Sequence, residues 1–317
     1  MKTFLDFEKN VAELDGKIEE LRLMTNSKDI NVAEEIIKLE KKTERALKTI
    51  YSELSPWQKV QVARHQQRPK FFDYLEALFS DFMPLAGDRT FGNDHALIGG
   101  VARFNERSVI VMGQQKGTDT ESRLHHNFGM ARPEGYRKAK RLMELANKFK
   151  MPILTFVDTA GAYPGLDAEE RGQAEAIARC IETSFSLTVP MIACIIGEGG
   201  SGGAIAIASA NSVLMLEHSI YSVISPEGCA SILWKSASRT KDAATALKLT
   251  AQDLKKHGII DHIIPEPLGG AHRDVKNMTE RTREAISIKL DELCQLSGQQ
   301  LKQNRRKRFI DIGEKGI

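Results

Sequence analysis

Residues 189–204 read Val189-Pro-Met-Ile-Ala-Cys-Ile-Ile-Gly-Glu-Gly-Gly-Ser-Gly-Gly-Ala204. An apolar run gives way to seven positions, 197–203, of which five are glycine, and then to the alanine-rich stretch 204–210. A short apolar run bounded by glycine is the pattern of a strand buried on both faces. The alanines continue as a helix. A tight turn explains one or two of these glycines but not five. A strand that enters such a turn and then a helix leaves successive N–H groups unpaired at the positive end of the helix. Bare glycine also lets a ligand approach the main chain closely. The segment therefore suits holding a negatively charged oxygen.

The same phrase recurs on both sides. Upstream, Pro152-Ile-Leu-Thr-Phe-Val157 is a short buried strand that runs into Asp158-Thr-Ala-Gly-Ala-Tyr-Pro-Gly165 and a helix over 168–185. Downstream, strands at 212–216 and 220–224 precede Ser225-Pro-Glu-Gly228, a turn that caps a helix over 229–236. Strand, turn and helix three times over predict a layered α/β fold with largely buried parallel strands. Before these repeats, 96–104 and 108–112 flank Asn105-Glu106-Arg107 as a β-hairpin. Ala139, Leu142, Met143 and Ala146 mark one face of a helix over 135–150.

The first 80 or so residues carry helical stripes, Val11, Leu14, Ile18 and Leu21, then Ile36, Leu39, Thr43, Leu47 and Ile50. The polar stretch Asn26-Ser-Lys-Asp29 separates them, and Ser55-Pro56-Trp57 starts a third helix. Beyond Pro265-Glu-Pro-Leu-Gly-Gly270 a last helix runs to about residue 296, with Ile286, Leu290 and Leu293 as its stripe. The basic tail Lys302, Arg305, Arg306, Lys307 and Arg308 reads as solvated. The division that follows is a helical region 1–84, a core 85–265, and a C-terminal helix with basic tail 266–317.

A chain of 317 residues with 41% hydrophobic and 27% charged residues is long enough for a full core and is neither disordered nor fibrous. A net charge of +3 demands no nucleic-acid or anionic-membrane partner. No apolar run reaches membrane-spanning length, about 18–20 residues. The N-terminal residues lack the apolar block of a signal peptide. Cys180, Cys194, Cys229 and Cys294 are too widely spaced for a zinc site. The expectation is a cytoplasmic protein with no metal in this chain.

Three ligand classes compete for residues 197–203. A dinucleotide or P-loop reading fails, because no G-x-G-x-x-G opens a first βαβ unit and no Lys-Ser/Thr follows the glycines. Gly199-Gly-Ser201-Gly-Gly203 satisfies the G-x-S-x-G of a serine hydrolase, with His218, His257, His262 and His272 as candidate bases. The third class is an oxyanion site for an enolate or thioester. Lys116, in Gln114-Gln-Lys-Gly117, reads as solvated or as a contact for a coenzyme A phosphate. His125-His126 has no second pair to complete a metal site. A carboxylate at Glu198 would repel an anion, so it is expected to turn away and pair with an arginine or a backbone donor.

Arg132-Pro-Glu-Gly-Tyr-Arg-Lys138, Asp158-Thr-Ala-Gly-Ala-Tyr-Pro-Gly165, Glu169-Glu-Arg-Gly-Gln173, residues 197–204, residues 221–235 and Ile264-Pro-Glu-Pro-Leu-Gly-Gly-Ala-His272 stand in order. Together they resemble the carboxyltransferase α-subunit family of bacterial multisubunit acetyl-CoA carboxylases, over essentially the whole chain. The resemblance implies a crotonase-like (ClpP/crotonase) spiral of β-β-α units with N- and C-terminal helical extensions. It implies transfer of a carboxyl group from carboxybiotin, carried on a separate protein, to acetyl-CoA, giving malonyl-CoA for fatty-acid synthesis. Gly202 and Gly203 would supply backbone donors to the biotin ureido oxygen, and biotin's own N1′ would be the base. Substrate contacts are implied from Gly161, Ala162 and Tyr163, from Gly199, Gly200 and Ser201, and from Lys116. The implied partners are a zinc-containing β subunit in an α₂β₂ assembly, the biotin carboxyl carrier protein and biotin carboxylase. One position departs from the family pattern: residue 160 is Ala where Pro is usual, which loosens the loop without removing a donor. A hydrolase using Ser201 and a non-catalytic scaffold with structural glycines are the rival readings.

Overall fold

The computed structural model describes residues 3–24 and 30–315. The strands are β1 (Ser80–Pro84), β2 (Leu97–Phe104), β3 (Arg107–Gln114), β4 (Ile153–Thr159), β5 (Met191–Gly200), β6 (Ser212–Leu216), β7 (Ile220–Ser222) and β8 (His262–Ile264). They form one sheet in the order β1-β2-β3-β4-β5-β6-β8, with β7 paired to β5 outside this row. The sheet thus begins at Ser80. The hairpin β2–β3 closes through Asn105 and Glu106, both left-handed at φ 45° and 66°, as a two-residue turn matched to strand twist requires. From β3 to β6 and β8 all pairings are parallel.

Alternation along the two central strands sorts the core into two layers. Ile153 and Val157 of β4, with Met191, Ala193 and Ile195 of β5, face one way. There they meet α6 (Pro133–Phe149), α8 (Gln173–Ser186) and α9 (Ser201–Ala208) through Leu142, Met143, Cys180 and Ile207. Leu154, Phe156, Ile192 and Cys194 face the other way, against Phe71, Tyr74 and Leu75 of α4 (Phe71–Leu78) and Met278, Ile286 and Leu290 of α13 (Val275–Cys294). Strands buried on both faces need no polar alternation, which is why β4 and β5 read as apolar runs. The shorter helices α5 (Thr120–His125), α10 (Pro226–Trp234), α11 (Thr240–Ala246) and α12 (Ala251–Lys256) lie in the connections between strands.

The N-terminal helices α1 (Lys9–Met24), α2 (Ile30–Ser52) and α3 (Pro56–Ala63) share a small core of Val11, Leu47, Tyr51 and Val62. The separating stretch Asn26-Ser-Lys-Asp29 lies outside the described residues. Ser55 caps α3: its Oγ accepts from Gln58 N–H (3.3 Å), and the Gln58 side chain accepts from Ser55 N–H (2.8 Å).

Three expectations change. The helix read over 168–185 is two helices, α7 (Leu166–Glu170) and α8, divided by Gly172 at φ 80°. Residues 197–200 are not part of a turn but the end of β5, and α9 starts at Ser201 instead of 204. The basic tail belongs to α14 (Gly298–Lys315), and Arg305 is fully buried. Its guanidinium donates to the carbonyls of Ser184 (2.7 Å) and Leu187 (2.9 Å), at the C-terminus of α8, and of Val189 (2.9 Å), in the segment leading to β5. Arg306 and Lys307 are exposed, as a solvated run would be. Among the described residues, no helix is long and apolar enough to cross a membrane.

Candidate functional site

Strands β4 and β5 both end beside a cleft of about 690 Å³. One wall is the loop after β4, Ala160 to Tyr163; the other is the start of α9, at Ser201 and Gly202. The two walls are held together by main-chain fit. A Cβ at Gly203 would come within 2.6 Å of the Gly161 carbonyl carbon and 2.8 Å of the Ala162 nitrogen. A Cβ at Gly200 would run into the Ala160 carbonyl. Only glycine allows the α9 N-terminus to sit this close to its neighbour.

Side chains then lock the walls. Gln114 is fully buried at the end of β3; its Nε2 donates to the Gly203 carbonyl (2.9 Å) and its Oε1 accepts the Asp158 N–H (3.1 Å). Thr159 Oγ1 donates to the Gly161 carbonyl (2.7 Å) and accepts the Gly161 N–H (3.1 Å). The loop's last residue is fixed as well: Tyr163 N–H donates to Ala131 O (3.0 Å), and the Arg132 guanidinium lies 4.3 Å from the Tyr163 ring centre. Gly200, the residue before α9, offers no side chain to cap the helix. The first-turn N–H groups therefore remain as donors, backed by the positive end of the helix.

Of the residues singled out from the sequence, Gly161, Ala162, Tyr163, Ser201 and Gly202 line this cleft. Gly203 is buried immediately behind it. Gly199 and Gly200 do not line it; they pair with Tyr221 and Ser222 of β7 and act by letting the chains approach. Lys116 lies in an adjoining cavity, beyond Arg64 and Ala160. It is not a solvated lysine: Nζ lies 2.8 Å from Asp158 and 3.4 Å from Glu198. Burial alone would lower its pKa, but the two carboxylates outweigh that and raise it. Asp158 mirrors it, since burial would raise its pKa and Lys116 brings it below the ordinary value.

Glu198 turns away from the cleft and pairs with Arg64 at 2.6 Å, as expected of a carboxylate near an anion site. Arg64 also holds Glu227 at 2.6 Å. Burial pushes the Glu227 carboxyl up, and the Arg64 guanidinium outweighs it, keeping it below the usual range. Arg64 itself is positioned by α3 and by a buried pair four residues on. Arg68 and Glu266 are both fully buried, 2.6 Å apart, and Arg68 Nε donates to Ile196 O of β5 (2.7 Å). Glu266 further accepts N–H groups from His218 (2.9 Å) and Ala271 (2.7 Å). Sequence reading did not find Arg64, Arg68 or Gln114. The one available signal was Glu266 in the motif Ile264-Pro-Glu-Pro, a carboxylate in an otherwise apolar turn.

Ser201 sits at φ 50°, a left-handed residue at a strand-to-helix turn, which is the backbone of a nucleophile elbow. The catalytic partners are missing from its surroundings: no histidine lines either of the cavities Ser201 borders. His218 is buried edge-on to Tyr51, and His272 stacks on His65 at 3.8 Å. His257 borders a different cavity and His262 is exposed on β8. The triad of the hydrolase reading is not assembled.

Comparison with known proteins agrees with the architecture. Solved chains with the same fold include transcarboxylase 12S, with a TM-score of 0.59 and 18% identity over 74% of this chain and 44% of that one. A chain of a Pseudomonas malonate decarboxylase hetero-tetramer also has a TM-score of 0.59, with 16% identity over 74% of this chain and 90% of its own. The layered α/β fold expected from the repeats, crotonase-like as the resemblance implies, is thus present. In sequence, the chain is 60% identical over 314 residues to the acetyl-coenzyme A carboxylase carboxyl transferase subunit alpha of Rhodospirillum centenum, covering 99% of each. It is 59% identical over 313 residues to the protein of the same name from Paramagnetospirillum magneticum, again covering 99% of each. The family described as acetyl co-enzyme A carboxylase carboxyltransferase-like matches residues 4–313, and the chain belongs to that family.

Proposed function

We propose that this chain is the α half of an acetyl-CoA carboxyltransferase, moving a carboxyl group from carboxybiotin to acetyl-CoA to give malonyl-CoA. The observation that carries the reading is the uncapped first turn of α9, where Gly202 lines a cleft closed on its other side by Gly161 and Ala162 and Gly203 packs directly behind it. The cleft fits a small polar ring: it is bounded by main chain, by Tyr163 and by the apolar Ile177 and Val223, with Arg64, Glu169 and Glu227 as the charged groups of its lining.

Carboxybiotin, when bound, supplies the activated carboxyl group. The chain's own contribution is electrostatic. The Gly202 and Gly203 amides hold negative charge at the ureido oxygen without reorganising, because Gln114 and the Gly161 loop fix that peptide. Removing one such donor in comparable sites costs about 2.7–4 kcal/mol. Glu198 stays out of the cleft, turned onto Arg64, and Glu227, which does line it, has its charge matched by the same guanidinium at 2.6 Å.

No protein general base is required from this chain if the thioester and its own pair of donors belong to a β subunit. That division agrees with a cleft lined by no histidine or cysteine, whose two carboxylates are the exposed Glu169 and the Arg64-paired Glu227. The further expected partners are a zinc-containing β subunit in an α₂β₂ complex, the biotin carboxyl carrier protein and biotin carboxylase, in the cytoplasm. The test is to mix the chain with a β subunit and follow malonyl-CoA decarboxylation in the presence of biocytin. Turnover is expected only in the mixture. Turnover by this chain alone, or an assembled complex without turnover, overturns the reading.

A further inference from the structure

Beyond Arg64 and Ala160, a second cavity of about 340 Å³ adjoins the cleft, and its polar wall is Arg64, Gln66, Lys70, Lys116, Arg123 and Glu198. Two of the four cations are already matched. Arg64 is held by Glu198 and Glu227, and Lys116 by Asp158 and Glu198. Among the described residues, Lys70 and Arg123 have no carboxylate at ion-pair distance. The contrast with their neighbours is sharpest at Lys70, which is only 4% exposed and whose ammonium makes no hydrogen bond among the described residues.

An ammonium buried without a partner is costly. Burial lowers the Lys70 pKa to about 8; Asp158 is the main charge in its favour, and Lys116, Arg68 and Arg123 act against it. Glu198, the carboxylate in the wall, is turned onto Arg64 and Lys116 and does not neutralise Lys70. The cavity thus has two unmatched positive charges, one deep and one at the mouth, in a space larger than a carboxylate needs.

We infer that this cavity binds a phosphoryl group, whose two negative charges are met by Lys70 and Arg123. The group belongs either to coenzyme A or to free inorganic phosphate; both present the same dianion. The inference does not depend on the carboxybiotin reading, because binding is measured on this chain alone, without turnover.

The experiment is titration calorimetry of the full chain with inorganic phosphate and, separately, with coenzyme A at matched ionic strength, since screening weakens any charged contact. Lys70→Met is expected to weaken binding about tenfold or more, and Arg123→Gln about threefold or more, as losses of charge-assisted bonds. Lys48→Met, at an exposed position on α2, is expected to leave it unchanged. Arg123 is half-buried, so its variant stays informative should Lys70→Met fail to fold. A second readout is acetylation of Lys70 near pH 8, followed by mass spectrometry, which bound phosphate should slow. Tighter binding of coenzyme A than of phosphate assigns the group to the nucleotide, and equal binding assigns it to free phosphate. No binding of either probe, or binding that neither variant weakens, overturns the proposal.

Discussion

The two cavities that meet at Ala160 and Arg64 are built from opposite materials. The cleft is main chain: its donors are peptide N–H groups, and its shape depends on Gly200 and Gly203 having no Cβ. The adjoining cavity is side chain: four cations from four separated positions of the sequence, of which Arg64 and Lys116 are held by Glu198, Glu227 and Asp158, with the buried pair of Arg68 and Glu266 behind them. Backbone sites are fixed by local conformation and tolerate changes that keep the chain path. Side-chain sites depend on partners that are distant in sequence and fail when one partner is removed.

The largest effect should come from the side-chain support. In Arg68→Met the Glu266 carboxylate remains buried without its partner, and removing one member of a buried pair costs about 3–5 kcal/mol. Urea denaturation of the variant measures this. Arg68→Met combined with Glu266→Gln should recover part of the loss, because the orphaned charge is then gone. If the single variant is as stable as the parent, Arg68 does not anchor α3 to β5.

Next in size is a break in the backbone site. Gly203→Val places a Cβ against the Gly161–Ala162 main chain and must displace the loop. Turnover of the reconstituted carboxyltransferase should fall about 10²–10³-fold, the loss of one oxyanion donor, while the complex still elutes as assembled. At Gly202 a Cβ meets only the Ile177 side chain, Cδ1 at 3.4 Å and Cγ2 at 3.7 Å, and the N–H is retained. Gly202→Ala should therefore change turnover by no more than about threefold. Equal losses at 202 and 203 would remove the argument from main-chain fit.

The same contrast governs what the sequence disclosed. Five glycines in 197–203 announced the cleft, because glycine density is a local signal of backbone approach. The apolar runs at 153–157 and 191–196 announced the central strands, being buried on both faces. The end of β5 was misplaced because Gly197 to Gly200 read as turn residues, whereas pairing with β7 keeps them extended. Gly172 was missed as a break between α7 and α8 for the converse reason: a single glycine in a helical pattern carries little signal. Arg64, Arg68 and Gln114 could not be singled out, since their partners lie 40 or more positions away and no periodicity links them, and Lys70 carries no local signal of its burial. Arg305 was misread in the same way. A basic run looks solvated unless the carbonyls that one arginine will cap are known.

A smaller effect follows from pH. Burial alone would push the Glu266 carboxyl up, but the Arg68 guanidinium and the His218 N–H outweigh it and hold it at about 2. A carboxyl whose pKa is depressed on folding contributes stability that is present above its ordinary value of 4.5 and lost as pH falls toward 2. The stability gap between the parent chain and Glu266→Gln should therefore be widest near neutrality and narrow as the pH is lowered below 4.5. Chemical denaturation at a series of pH values reads the gap. A gap that is constant from neutral to acid pH would mean that the folded carboxyl titrates normally and the pair is weaker than its geometry.

The smallest effect is expected at Ser201, and it separates the two chemistries compatible with a strand-to-helix turn. A hydrolase loses its nucleophile in Ser201→Ala, and activity falls by orders of magnitude. In the carboxyltransferase the same change removes a hydroxyl that no base attends and keeps every N–H of the first turn, so turnover should stay within about threefold. Ser201→Gly goes further, because it also relieves the left-handed backbone at φ 50°. That strain is worth about 1–2 kcal/mol in a non-glycine residue, and the added freedom of glycine in the unfolded chain offsets about 0.5–1 kcal/mol of it. The net change in denaturation midpoint should be slightly stabilising or nil. A steep loss of turnover in Ser201→Ala with assembly intact would give the side chain a part that the peptide geometry of α9 leaves no need for.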